Sequence, residues 1–326
     1  MNAVKHPLPL EYRREIPAGP LFNRVNDVLE NENLNTICVS GKCPNRGECF
    51  SRGSLAFMIL GDICTRHCGF CAVKAGQPDG TVDWNEPERL GRAAAALQLK
   101  HVVVTSVARD DLKDGGASIF AECIRQLRRY LPDAVVEVLT PDYNGDQESI
   151  DQVLQAGPDI YNHNMETVER LTPKVRSRAT YRRSLEVLRY VKQQALIRPT
   201  ATFSLKGEGL QQVLQDVGPL PLGEGARRAG EGSLKTKSGL MLGLGETREE
   251  IQRTLEDLRS VDCDYLTIGQ YLQPSGRHLT IQSFVPMEDF AYWRQEATRL
   301  GFERVASGPL VRSSYFADEL HTGEAL

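Results

Sequence analysis

Leu55-Ala-Phe-Met-Ile-Leu-Gly-Asp-Ile-Cys64-Thr-Arg-His-Cys68-Gly-Phe-Cys71 is the stretch from which the rest of this chain is read. The apolar run Leu55 to Leu60 has the length and composition of a buried strand. It delivers three cysteines at the spacing Cys64-x3-Cys68-x2-Cys71. Iron–sulfur cubes are held by cysteine thiolates, ordinarily four to a [4Fe–4S] cluster. Three thiolates hold three irons and leave the fourth open to a ligand that is not protein. A cluster that acts on a bound molecule needs that open iron. A zinc knuckle is the alternative, although zinc prefers four ligands, often as two separated pairs.

A second triad stands just upstream in Cys38-Val-Ser-Gly-Lys-Cys43-Pro-Asn-Arg-Gly-Glu-Cys49, so six of the 8 cysteines lie between Cys38 and Cys71. Its x4 and x5 spacings differ from those of the first triad, which argues against a repeat. Gly41, Pro44 and Gly47 interrupt regular structure, and a loop wrapping its thiolates around a metal centre is expected. Pooled zinc sites or three disulfides are the alternatives. Disulfides suit a small secreted domain, whereas this chain has 326 residues and no signal-peptide core. Two iron–sulfur clusters account for the six thiols better.

Outward from the triads, short apolar runs at 55–60, 101–107, 134–139, 158–162, 238–242 and 264–268 alternate with stretches of helical period. Ile119, Phe120, Cys123, Ile124, Leu127 and Leu131 mark one helix. Thr247 and Glu250 form a capping box ahead of Ile251, Leu255, Leu258 and Val261. Asn23 to Glu30 predicts a short helix before the first triad. Six βα units argue a parallel α/β fold, an open doubly wound sheet or a barrel. In such folds chemistry collects on the loops after the strands. There stand Arg109-Asp110-Asp111, Gly115-Gly116, Thr140, Asp142, Tyr143, Asn162 to Glu166, Gly243, Gly245, Glu246, Gln270, Tyr271 and Gln273, a ring of polar residues suited to one shared pocket. Cys123 and Cys263 read as buried structural thiols.

Composition is that of an ordinary globular protein, 40% hydrophobic and 25% charged, with a formal net charge of −4. Nothing in it marks a nucleic-acid or anionic-membrane surface, and no apolar run is long enough to span a bilayer. A cytoplasmic location is expected, since thiolate clusters suit a reducing compartment.

The spacing of Cys64, Cys68 and Cys71, with Phe70 before the last, resembles the cluster loop of radical S-adenosylmethionine (SAM) enzymes. Both triads together resemble lipoyl synthases. So do Val104 to Gly116, Tyr161 to Glu166, Lys237 to Glu246, Gly269 to Ser275, and Ala306-Ser-Gly-Pro-Leu-Val-Arg312-Ser-Ser-Tyr315. The resemblance runs from about Asn23 to Asp318. It implies a partial (β/α)6 TIM-type barrel over 51–283, an N-terminal extension over 1–50 carrying the upstream triad, and a C-terminal segment over 284–326 closing over the site.

It also implies a reaction. A [4Fe–4S] cluster on Cys64, Cys68 and Cys71 would bind SAM and release a 5′-deoxyadenosyl radical. That radical would take hydrogen from C6 and C8 of an octanoyl group carried on a protein lysine. Sulfur would come from an auxiliary [4Fe–4S] cluster on Cys38, Cys43 and Cys49, with Ser314, or else Ser313, as the fourth ligand. A surface Ser-Ser turn is the bland reading of that pair. Gly115 and Gly116 are candidates for admitting the methionine end of SAM, and Asn162, Asn164 and Glu166 for bonding its ribose or adenine. For each of these a turn or packed polar residue is the alternative, and His163 reads as structural. The implied partners are octanoylated carriers, namely 2-oxoacid dehydrogenase E2 subunits and the glycine cleavage H protein, and a ferredoxin or flavodoxin as electron donor. Another radical-SAM sulfur-inserting enzyme, or a non-catalytic iron–sulfur or zinc module, are the rival readings.

From Gln194 to Ser233 the resemblance lapses, in a segment with seven glycines and three prolines. A loop is expected there on the face opposite the pocket, with a short helix from Leu210 to Val217 and strand 238–242 at risk of displacement.

Overall fold

The structure is a computed structural model and describes Tyr12, residues 19–197 and residues 234–323. In chain order, α1 (Pro20–Asn31), β1 (Asn35–Thr36), α2 (Ile37–Ser40) and α3 (Arg46–Ser51) lead into β2 (Ala56–Ile59). A two-stranded ribbon follows, β3 (Ile63–Cys64) and β4 (Lys74–Ala75). Then come α4 (Glu86–Ala96), β5 (His101–Ser106), α5 (Ala117–Tyr130), β6 (Val135–Leu139), α6 (Gln147–Gln155) and β7 (Ile160–Asn162). The second half holds α7 (Thr172–Val175), α8 (Tyr181–Ile197), β8 (Lys235–Leu242), α9 (Arg248–Ser260), β9 (Tyr265–Gln270), α10 (Met287–Arg299), β10 (Arg304–Ser307) and α11 (Ala317–Thr322).

All six expected strands form, within three residues of their expected bounds. They lie side by side in an 8-stranded sheet ordered β1-β2-β5-β6-β7-β8-β9-β10. Every pair is parallel except β1 with β2. The sheet curls around a lumen but does not close, since β1 and β10 are its two edges. Seven parallel strands therefore stand where six were expected. The seventh, Arg304-Val-Ala-Ser307, shows only one buried residue, too few for alternation to reveal it.

Side chains alternate across each strand. Val102, Val104, Val136 and Val138 face outward onto Ile119, Phe120, Cys123, Ile124 and Leu127 of α5. Burying each such side chain contributes about 1.5–3 kcal/mol. The capping box on α9 forms as the sequence predicts, with Thr247 and Glu250 exchanging both bonds. The opposite faces of the same strands line the lumen with polar groups. Glu137 accepts from Lys237 Nζ at 2.9 Å and from Asn162 Nδ2 at 2.9 Å, and meets His101 Nε2 at 3.2 Å. Glu137 and Lys237 are both buried.

The chain after β10 threads this lumen from one end to the other. Pro309 O accepts from Gln270 N at 3.3 Å near the exit of β9. Ser313 reaches Gly239 in mid-strand, and Ala317 packs on Ala56 and Val103. At the far end the His321 ring meets Tyr265 OH at 3.3 Å and stands edge-on to His101.

The insertion falls mostly on 198–233, outside the described residues, as does the Leu210–Val217 helix. Helix α8 ends at Ile197, and β8 begins at Lys235 in register with both neighbours, Ile160↔Lys235 and Lys237↔Tyr265. Strand 238–242 is not displaced.

Candidate functional site: two cysteine triads joined by the tail

The loop carrying Cys64, Cys68 and Cys71 is clamped from four sides. The β3–β4 ribbon holds its entry and exit, with Gly76 N donating to Cys64 O at 2.9 Å. From β5, Ala108 N points at Cys64 Sγ at 3.3 Å and Ala108 O accepts from Thr65 N at 3.0 Å. From the end of α7 and the segment after it, Val175 O accepts from Gly69 N at 2.9 Å and Ser177 Oγ from His67 N at 3.0 Å. From the loop after β9, Leu279 N donates to Gly69 O at 2.9 Å, while the His278 ring meets Cys71 O at 3.0 Å. Behind the loop, buried Arg66 bridges Asp110 and Asp142, each at 2.7 Å. Burial opposes ionisation of Asp142, but Arg66 and then His163 and Arg183 hold its carboxyl well below the usual range.

The upstream triad is less of a loop than its glycines suggest. Cys38 lies in α2 and Cys49 in α3, with Cys43 in the turn between. Thr36 caps α2 through Val39 N, and Gly47 is accommodated as a buried position within α3. The tail lies directly on this triad. Asn45 Nδ2 donates to Leu310 O at 2.6 Å, Tyr315 OH to Glu48 Oε2 at 3.2 Å, and Arg52 pairs with Glu319. Arg312 faces Cys43, and its basicity is lowered by desolvation and partly restored by that thiol. Ser313 Oγ accepts from Asn164 Nδ2 at 2.6 Å. Among the described residues the Ser314 hydroxyl has no hydrogen-bond partner.

These thiols suit iron. Burial pushes the Cys71 thiol up to about 12 and the Cys38 thiol to about 11, and raises Cys49 and Cys64 as well. Neighbouring thiols add to the rise, Cys68 and Cys64 on Cys71, Cys38 and Cys43 on Cys49. Gathered and buried, they ionise readily only with a cation among them. Among the described residues no three His, Cys, Asp or Glu side chains converge to hold one metal ion. A cube presents a separate iron to each thiolate, whereas a zinc ion gathers its ligands on one centre.

The candidate SAM contacts divide. Asn164 and Glu166 stand together, Asn164 Nδ2 to Glu166 Oε1 at 3.1 Å, on the continuation of β7. Glu166 holds φ at +67°, a conformation that is strained for such a residue, pinned by Gly239 O and Met241 N. Its carboxylate is one of the charges felt at Cys71. Asn162 is instead turned into the lumen on Glu137, with its side-chain amide oxygen unpartnered among the described residues. Gly115 and Gly116 each have a packing reason. A Cβ on Gly115 would sit 2.9 Å from Tyr143, and one on Gly116, where φ is +89°, 2.2 Å from Leu60.

His163 is structural, as expected. Its two ring nitrogens meet Thr140 O and Ser184 Oγ at 3.0 and 2.9 Å, and burial lowers its pKa to about 4. Several residues of the polar ring tie loops together instead of opening onto a pocket. Gln270 bonds Ser283 O and Val285 N, Tyr271 OH bonds Leu279 O, and Glu246 binds Gly243 N and Leu244 N. Sequence reasoning missed Arg176, which is buried and is influenced by both Glu166 and Cys68. It missed Ser177 and His278 as clamps too. Only the unusual run Lys174-Val-Arg176-Ser-Arg178 and its nearness to a helix start hinted at Arg176 and Ser177, and nothing local hinted at His278.

Residues 58–216 match the family model of the radical SAM superfamily. The fold is shared with SuiB of Streptococcus suis bound to S-adenosylmethionine, at TM-score 0.52 and 11% identity, over 81% of this chain and 54% of that one. It is shared also with methylornithine synthase (PylB), at TM-score 0.50 and 12% identity, over 92% and 90%. Sequence relatives are nearer. The chain is 45% identical to the lipoyl synthase of Flavobacterium johnsoniae, covering 94% of this chain and 93% of that protein. It is 43% identical to the mitochondrial lipoyl synthase of Nematostella vectensis, covering 97% and 95%. With the lipoyl synthase of Caldanaerobacter subterraneus it shares 48% over 91% of each. Identity of this extent, on a radical SAM fold that presents two cysteine triads, places the chain in the lipoyl synthase family.

Proposed function

We propose that this protein transfers two sulfur atoms to C6 and C8 of an octanoyl group held on a carrier protein, giving a lipoyl group. The observation that carries the reading is the course of the tail. Arg312 to Tyr315 run between the two triads, bonded to Asn164 on one side and to Glu48 on the other. When bound, a [4Fe–4S] cluster and SAM supply the radical that opens an unactivated C–H bond, and an auxiliary [4Fe–4S] cluster supplies the sulfur.

The chain's own residues do the rest. Cys64, Cys68 and Cys71 hold the SAM cluster, and Cys38, Cys43 and Cys49 the auxiliary one, with Ser314 as its fourth ligand. Ser313 is engaged with Asn164, so Ser314 is the free hydroxyl of the pair. A hydroxyl is a harder ligand than a thiolate, which suits an iron that must leave when sulfur is given up. Asn164 and Glu166 bind the SAM nucleoside, and Arg176 steadies Glu166 beside the cluster. Gly115, Gly116 and Asn162 serve by shaping the walls. The carriers are E2 subunits of 2-oxoacid dehydrogenases and the glycine cleavage H protein, and a ferredoxin or flavodoxin supplies electrons in the cytoplasm. No helix among the described residues is long and apolar enough to cross a membrane.

Anaerobic reconstitution with iron, sulfide, SAM, a reductant and an octanoylated peptide tests the reading. Mass spectrometry should find two added sulfurs, and roughly eight irons should bind per chain, at four per cube. Deoxyadenosine without sulfur addition would refute it in favour of another radical reaction. Colourless protein holding zinc would refute both.

A further inference from the structure

A polar path joins the two triads through the lumen, and no step of the proposed chemistry requires it. It starts at Cys71, which feels the Glu166 carboxylate. Glu166 Oε1 accepts one Asn164 amide hydrogen at 3.1 Å, and Ser313 Oγ accepts from the same nitrogen at 2.6 Å. Ser313 is followed at once by Ser314 and by Tyr315, whose hydroxyl reaches Glu48 between Cys43 and Cys49. Asn164 therefore spends both amide hydrogens on these two partners, while its buried carbonyl oxygen has none. The wall behind is Gly239, where a Cβ would stand 2.8 Å from Asn164 Oδ1 and 3.0 Å from Ser313 Oγ. No larger residue leaves room for the three groups to meet.

We propose that Ser313 is a positioning residue that couples the SAM pocket to the auxiliary cluster. The inference rests on the reading of Glu166 as a SAM contact and of Ser314 as a ligand. An amide that donates to both Ser313 and Glu166 fixes the direction of the Glu166 carboxylate, which is only half-buried. A SAM group that bonds this carboxylate finds it oriented in advance, and loses that advantage when Ser313 is absent. The effect is reciprocal, because coupling between two sites acts equally on both. SAM in its pocket therefore draws on the Asn164–Ser313 bond and shifts the neighbouring Ser314 at the auxiliary iron. One neutral hydrogen bond sets the scale at about twofold to tenfold in affinity.

The test compares reconstituted wild type, Ser313→Ala, Ser313→Thr, Asn164→Ala and the Ser313→Ala/Asn164→Ala double variant. Three readouts are taken: iron content, equilibrium affinity for SAM, and the Mössbauer spectrum of the auxiliary cluster with and without SAM. In wild type SAM should alter the auxiliary spectrum. Ser313→Ala should keep both clusters, weaken SAM about twofold to tenfold, and abolish that spectral response. Ser313→Thr, which keeps the hydroxyl, should restore both. In the double variant the Ser313 effect should vanish, since its partner is already gone.

An auxiliary spectrum blind to SAM in wild type would overturn the proposal, as would additive effects in the double variant. Loss of auxiliary iron from Ser313→Ala without SAM would overturn it too, by showing a merely structural anchor. A Ser314→Ala control keeps the underlying reading separate. If that variant leaves the SAM-free auxiliary spectrum unchanged, the ligand assignment fails whatever Ser313 does. If its spectrum changes while Ser313→Ala binds SAM like wild type, only the coupling fails.

Discussion

Replacing Lys237 with Ala should unfold this enzyme several degrees sooner, although Lys237 touches neither triad. Glu137 is fully buried, and among the described residues the ammonium at 2.9 and 3.1 Å is its only permanent cation; Asn162 and His101 complete the shell. Burial alone would raise the Glu137 pKa, but Lys237 and then His101 hold it down to about 2. Against an ordinary value of 4.5, that difference is worth about 3 kcal/mol at roughly 1.4 kcal/mol per pKa unit. Breaking a buried pair by removing one partner generally costs about 3–5 kcal/mol, so the two scales agree.

The melting temperature of the holoenzyme, followed by circular dichroism, should fall by about 6–10 °C, at roughly 2 °C per kcal/mol in a chain of this size. The double variant Glu137→Gln/Lys237→Met should recover most of the loss, because apolar or neutral replacement of a whole buried pair is often close to neutral. The pH dependence has a definite sign. A carboxyl whose folded pKa lies below its unfolded one stabilises fully above the unfolded value, and the contribution fades as pH falls from 4.5 toward about 2. Lys237→Ala should lose that acid-side slope. A melting temperature within 2 °C of wild type would refute the reasoning, showing that water or another group already serves the Glu137 carboxylate.

Other outcomes follow from the site. Any of Cys64→Ala, Cys68→Ala or Cys71→Ala should stop deoxyadenosine formation and leave roughly half the iron, at four per cube; SAM cleavage at the wild-type rate would defeat the assignment. Cys38→Ala, Cys43→Ala and Cys49→Ala should spare SAM cleavage at least in part and remove sulfur insertion, and lipoyl product from these variants would mean another sulfur source. Ser314→Cys should give a more stable auxiliary cluster that is a poorer sulfur donor, checked by iron retention under chelator against product yield. Arg66→Ala, which removes the buried cation shared by Asp110 and Asp142 and leaves Asp142 only Arg183, should lower iron binding at the Cys64 triad and cost about 3 kcal/mol of stability.

Much of this was legible because the signals were local. The run Leu55–Leu60, the stripe Ile119–Leu127 and the capping box at Thr247 each declare themselves within a few residues, and each forms as read. What escaped was set by tertiary context. Glu137 in Val-Val-Glu-Val-Leu and Lys237 in Lys-Thr-Lys-Ser look like the solvent face of half-buried strands, because periodicity gives two faces without saying that one lines a lumen. Strands β1 and β10 have 2 and 4 residues, too few to show a period. The split between Asn162, spent on Glu137, and Asn164, spent on Glu166 and Ser313, depends on a strained Glu166 that no propensity foretells. Ser313 and Ser314 are adjacent and chemically alike, and only the fold gives one of them a partner.

The threading of the tail through the lumen also orders events in time. Both triads are complete once Cys71 has been made, yet Arg312 to Tyr315 belong to the end of the chain. At roughly 5–20 residues per second, the about 240 residues between them take on the order of 10–50 s to add. Throughout that interval the thiols ride on a nascent chain without the tail that later lies on them. Once the tail is seated, Asn45, Glu48 and Arg52 are all bonded to it. On the proposed reading, a metal centre lost from behind that strap would be replaced only when the strap lets go.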